Sequence, residues 1–125
     1  MKTVFLASVG CTGGTGNMQT GIRMSGHGRI LEVYGIVDVD ATDADVDISI
    51  NIEIDGTNLT GGVVTWLFSD AVAAKKAGTA VTDDGANEFH DGDLLDIEAT
   101  YNAAGTVTDI GRMNLFARVL YELGN

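Results

Sequence analysis

Residues 45–56 read Asp-Val-Asp-Ile-Ser-Ile-Asn-Ile-Glu-Ile-Asp-Gly, and no other stretch leaves the chain so few ways to fold. Val46, Ile48, Ile50, Ile52 and Ile54 take alternate positions, with Asp47, Ser49, Asn51 and Glu53 between them. A period of two puts all five β-branched side chains on one face of a pleated strand, where their stiff χ1 fits; a helix would scatter them around its circumference. The apolar face then needs a second layer to cover it. Asp55-Gly56 supplies the φ > 0 residues of a tight reversal, so the chain turns back there.

A core able to cover that face is within reach of a chain this long. With 125 residues it is one domain and buries about two-thirds of its unfolded surface, enough to fold without metals or disulfides. Cys11 is the only cysteine, so no intrachain disulfide can form and cysteine usage gives no support to export into an oxidising compartment. Eighteen acidic against seven basic side chains give a formal net charge of −11, which argues against a surface built to neutralise phosphates and so disfavours nucleic-acid binding. No apolar run approaches the roughly 18 residues needed to span a bilayer as a helix. Residues 1–11 look at first like a lipoprotein signal ending at Cys11, but the apolar run 4–9 is shorter than the usual h-region of about 7–15 residues. They read instead as a first strand.

Strand patterns recur at hairpin spacing along the rest of the chain. Residues 3–9 alternate weakly, and 10–16 are a Gly-rich run unsuited to a helix or a central strand. Residues 20–24 are a short strand and 25–28 a turn. In 29–38, Ile30, Tyr34 and Ile36 alternate against Leu31, Val33 and Val37, so both faces are apolar: a strand covered on both sides, or one whose second face meets a partner. Residues 38–45 form an acidic loop, and 63–68 are a strand by residue type. Residues 69–78 predict one or two turns of surface helix, with Ser69 or Asp70 as N-cap, an alanine-rich interior, lysines near the C-terminus and Gly78 to close it. A short edge strand over 79–82 and a turn at 83–87 follow. Leu95, Ile97, Ala99 and Tyr101 share one face after the turn at Asp91-Gly92. In the last strand, 113–123, Leu115, Ala117, Val119 and Tyr121 oppose Asn114, Phe116, Arg118, Leu120 and Glu122. The pattern predicts an all-β protein: an antiparallel sandwich of about seven or eight strands with one short surface helix. Ile48, Ile50, Ile52, Leu95, Ile97 and Leu115 are expected to share its core.

From residue 28 to 123 the order of pieces resembles the small jelly-roll sandwich of tailed-bacteriophage head decoration, or cement, proteins. The likeness rests on Phe89, Gly92, Asp93, Leu95 and Ile97, an aromatic approach through Gly-Asp into alternating apolars, and on the Gly-Thr turn of Gly56 and Thr57. It covers about three-quarters of the chain. What it implies is a homotrimer on the outer surface of a capsid, assembled in the host cytoplasm and bound to the major capsid protein. The jelly roll would occupy 25–125, and a first strand with a Gly-rich arm, 1–24, would reach the capsid or a neighbouring subunit. Lys2, Val4, Leu6, Met18, Arg23 and Met24 are the expected partner-binding residues; 1–24 contains Lys2 and Arg23 and no acid, the least negative part of the chain. The two apolar faces of 29–38 and 113–123 exceed what one core absorbs, which places Tyr34, Phe116, Arg118 and Leu120 at the expected trimer interface. Related sandwiches also serve as carbohydrate- or calcium-binding modules, and this is the alternative reading.

Little in the chain suggests catalysis. His27 sits between two glycines, His90 precedes Asp91-Gly92, and neither a Gly-x-Ser-x-Gly nor a His-Glu-x-x-His pattern occurs. Asp38, Asp40, Asp43 and Asp45 crowd one loop, and Asp83, Asp84, Asp91 and Asp93 crowd later turns, without the EF-hand spacing. They read as solvated turn caps. No enzyme activity, cofactor or metal is expected. Gly13-Gly-Thr-Gly16 lacks the Gly-Lys-Ser/Thr ending of a phosphate cradle.

Overall fold

The computed structural model describes residues 1–12, 18–39, 47–67, 70–102 and 109–122. These residues contain ten strands and no helix. In chain order the strands are β1 (Lys2–Thr12), β2 (Met18–Arg23), β3 (Gly28–Val39), β4 (Asp47–Ile54), β5 (Thr57–Asn58), β6 (Val64–Leu67), β7 (Lys75–Ala77), β8 (Glu88–Phe89), β9 (Leu94–Asn102) and β10 (Asp109–Tyr121). They make two five-stranded sheets, antiparallel throughout. Sheet A runs β1-β10-β3-β7, with β8 on the same side of β3 as β7. Sheet B runs β2-β9-β4-β5, with β6 also on β4.

The alternating segment behaves as its period requires. Ile48, Ile50, Ile52 and Ile54 are buried, Asp55 (φ 50°) and Gly56 (φ 86°) make the reversal, and Ile54 pairs with Thr57 across it. β4 sits in the middle of sheet B, so Ile50 lies opposite Ala99 on one side and Val64 on the other. From sheet A the inward residues Val33, Val37, Met113, Leu115, Ala117 and Val119 meet this face in one core, with Trp66 and Phe89 its largest members. All six residues expected to share the core do so.

Three local expectations are corrected. Residues 70–77 are not helical: Ala73 takes φ 69°, and Lys75–Ala77 pairs with Tyr34, Gly35 and Ile36 of β3. The open edge of β3 outcompetes the weak local propensity, because Ala73 N donates to Val37 O and Val37 N to Ala74 O. Asp70 caps a turn instead, accepting from Leu67 N at 2.8 Å and from the Lys76 ammonium at 3.0 Å. The edge strand expected over 79–82 is displaced to β7. Thr79 and Thr82 instead bond irregularly along residues 60–63. In β3, Ile30 leaves the face of Tyr34 and Ile36: the register steps from Arg118↔Glu32 to Val119↔Ile30, a bulge that skips Leu31 and turns Ile30 into the core with Val33 and Val37. Its outer face stays half-buried, so within one chain only one side of β3 is covered.

Of the stretch 1–24, β1 is hydrogen-bonded along β10 and β2 along β9, so each forms the edge of a different sheet. Leu6 and Met24, expected on a partner surface, are instead in the core at 6% exposure, because the pairing with β10 and the turn after β2 turn them inward. Two register shifts in β1, between Phe5 and Ala7 and between Gly10 and Thr12, break up an edge that would otherwise template further strands. Of the acidic loop expected over 38–45, Asp38 and Val39 instead end β3, and of the Gly-rich run 10–16 the first three residues instead end β1; residues 40–45 and 13–16 lie outside the described residues.

Candidate functional site

Two places concentrate features that core packing does not explain. The first is the outer face of sheet A. Phe5 lies opposite Phe116 and Phe116 opposite Tyr34 in the register, so three aromatic side chains cross β1, β10 and β3 in one row. Phe116 stacks on Tyr34 (centroids 5.3 Å apart, 16° between planes) and meets Phe5 edge to face (5.6 Å, 69°). Lys75 Nζ lies 4.5 Å from the centroid of Tyr34 and extends the row onto β7. Such pairs contribute about 0.5–1.5 kcal/mol each beyond their area, yet Phe5 remains 54% exposed. Phe5 was not foreseen as a site residue; its only signal is a place in a weakly alternating strand, and its neighbour is more than a hundred residues away in sequence.

Charges divide between the two outer faces. On sheet A, Arg118 bonds Glu32 at 3.0 Å, Arg112 bonds Asp38 and Lys75 reaches Glu32, so acids and bases are matched around the aromatic row. On sheet B, Glu53 lies opposite Asp96 and Asn51 opposite Glu98, and among the described residues these three acids form no ion pair. Like charges directly opposite each other repel, which water tolerates and a buried interface does not.

The other expected site residues are dispersed. Lys2 is exposed at the start of β1, and Val4 is half-buried against the core. Arg23 is exposed and donates to Gly92 O at 2.8 Å. The side chain of Met18 lies outside the described residues. Tyr34, Phe116, Arg118 and Leu120 do share the outer side of sheet A, Arg118 exposed and the other three half-buried.

The second place is one end of the sandwich, where two turns are bonded together. Met24 N donates to Asp93 O, Gly92 N to Met24 O, and Gly26 N to Asp91 Oδ1. This brings His27 and His90, 63 positions apart in sequence, into a stack with centroids 4.6 Å apart and planes 11° apart. His27 Nε2 lies 2.9 Å and His90 Nε2 3.4 Å from Glu88 Oε1. The buried Asn87 positions Glu88 through Ile30 N→Asn87 O and Asn87 Nδ2→Ile30 O. Glu122 N donates to His27 O, and its Oε2 lies 3.8 Å from His27 Nε2. Both histidines are visible in the sequence but form no motif there, since only Glu88-x-His90 is local.

The His27 hydrogen bond holds the Glu88 carboxyl below its usual 4.5, against a smaller upward push from burial and with further help from the charges of His90, His27 and Arg29. A carboxylate whose folded-state pKa is lowered stabilises the fold above its ordinary value and loses that contribution as pH falls through the lowered one. Asp84 behaves alike, lowered first by the Thr60 hydroxyl and then by the Ala86 amide. Melting temperature is therefore expected to fall below about pH 4.5, and less steeply in Glu88→Gln. Equal acid slopes in parent and variant would remove Glu88 from this account.

Set beside known proteins, the chain matches no protein-family model and no curated protein sequence.

Proposed function

We propose that this is a structural viral protein: a decoration protein that binds the outer surface of a phage head as a homotrimer and stabilises it by contact area. The observation that carries the reading is the aromatic row Phe5–Phe116–Tyr34, ringed by matched charges, on an otherwise strongly acidic molecule. Exposed aromatics with paired charges at their margin suit a protein interface, and the occupant we assign is a second copy of the chain, whose own matched charges keep the local repulsion at this face low. The acidic face of sheet B then points to solvent. A jelly-roll order of strands within the two sheets is part of the same proposal, as is the virion as its location.

Each subunit carries −11 formal charges, so assembly must bury enough apolar surface to outweigh their repulsion, and added salt should tighten the trimer. The major capsid protein is the proposed partner, approached through the margin near Lys2 and Arg23. Deleting 1–17 would not test that contact cleanly, because Leu6 and Val9 belong to the core. The informative variant is Phe116→Glu, on a half-buried outer side chain. Incubated with heads assembled from the cognate capsid protein, the parent should co-sediment and raise the temperature at which heads rupture; Phe116→Glu should remain in the supernatant. Equal co-sedimentation of both would contradict the role of this face. The carbohydrate-module alternative would use the same row as a stacking platform, and saturable glycan binding by a monomer would favour it.

A further inference from the structure

The geometry points to a site for a first-row divalent transition metal of the zinc type at the end of the sandwich, with His27, Glu88 and His90 as ligands and Glu122 as the fourth. One ligand atom from each of the first three lies within 4.8 Å of the others. Tetrahedral bonds of about 2.0–2.1 Å need ligand atoms roughly 3.3 Å apart, so these three side chains have at most about 1.5 Å to close. Two imidazoles and carboxylate oxygens are the borderline donor set that zinc, cobalt and nickel take; calcium and magnesium prefer an all-oxygen shell.

The surrounding contacts leave the right atoms free. Asp93 Oδ2 accepts from the backbone amide of His90 at 2.8 Å and lies 3.7 Å from its Nδ1, close enough to accept from that nitrogen after a small turn of the ring, and Nε2 faces Glu88. Arg29 Nε donates to Glu122 Oε1, which leaves Oε2 directed at His27. His27 is 92% buried, and its Nδ1 has no hydrogen-bond partner. An ion bound at Nε2 would take the place of the proton in the hydrogen bond between His27 and Glu88. Glu88 Oε1 and Glu122 Oε2 both lie within 4 Å of His27 Nε2, and a dication held by two imidazoles and these two carboxylates would bring the four-ligand set to neutrality. The rings are stacked, so their nitrogens lie side by side; convergence on one ion takes a rotation of His90, which is 56% exposed and has room to turn.

The ligands come from the turn before β3, from β8 and the turn after it, and from the residue that follows β10, so an ion would tie three segments of the chain together. This site is separate from the aromatic row and does not rest on the function proposed above. The test uses the full chain after EDTA treatment. Zinc chloride should bind saturably at one ion per chain and raise the melting temperature with its concentration, while calcium or magnesium chloride at the same concentration should not. His90→Ala, at an exposed position, should keep the metal-free melting temperature close to the parent's and weaken zinc binding at least tenfold. Cobalt chloride added to the parent should give the intense visible absorption of a tetrahedral complex, a readout that depends on no variant's folding. Absence of saturable zinc binding, a His90→Ala protein that binds as tightly as the parent, or no tetrahedral cobalt spectrum would each overturn the site.

Discussion

Ile50→Asp should leave no cooperatively folded protein at 25 °C. Ile50 is fully buried, with Ala99 on one flank and Val64 on the other, so a carboxylate there would have neither water nor a cation. The loss combines the transfer energy of the isoleucine, about 2–5 kcal/mol as judged from truncation to alanine, with the cost of burying a carboxyl or forcing its protonation. Together these reach the roughly 5–15 kcal/mol by which a domain of this kind is stable. Ile50→Ala should fold, with a urea midpoint lowered by the truncation term alone. Trp66 is the only tryptophan, is 1% exposed and sits opposite Ile48, so its fluorescence reports the unfolding of the parent and of Ile50→Ala. A parent-like urea midpoint for Ile50→Asp would mean that the register of β4 is wrong by one residue, since a one-residue slip exchanges its two faces.

Gly61→Ala should cost about 3 kcal/mol or more although residue 61 is not in the core. Its φ of +84° strains any L side chain, and a Cβ would lie 1.9 Å from the carbonyl oxygen of Ala80, a backbone atom with no rotamer to yield. Relief requires residues 79–82 to move away, which breaks Gly62 N→Thr79 O and Thr82 N→Thr60 O, each worth about 1 kcal/mol. Gly56→Ala is the control: its φ is +86° but nothing lies within 4 Å, so only the conformational part, about 1 kcal/mol, should be lost. Similar losses at both sites in urea titration would show that the close approach of 61 to 80 contributes nothing.

The contrast between these glycines marks what could be read from sequence. Asp55-Gly56 announces itself because the reversal is local and follows a strict alternation, and the face carrying Ile48, Ile50 and Ile52 needs no partner to be recognised. Gly61 shows no such signal, since its constraint comes from a segment almost twenty residues on. The same reason defeats the helix expected at 69–78: its alanines and lysines favour a helix only weakly, while the unpaired edge of β3 offers Val37 and Tyr34 to any extended neighbour. The bulge at Leu31 is invisible because it is defined by Arg118 and Val119 on another strand. At the sites, Tyr34 and Phe116 were legible as surplus apolar residues on two-faced strands. Phe5 became one of their neighbours through the pairing of β1 with β10, and His27 meets Glu88 and His90 only because two turns bond to each other.

Self-association through the outer face of sheet A is the claim on which the proposed function turns. Sedimentation velocity of the purified chain at micromolar concentration in 150 mM salt tests it directly. The account predicts a species of three times the 13.0 kDa chain mass, favoured by further salt and reduced to the monomer by Phe116→Glu. A parent that sediments at 13.0 kDa throughout the micromolar range would contradict it.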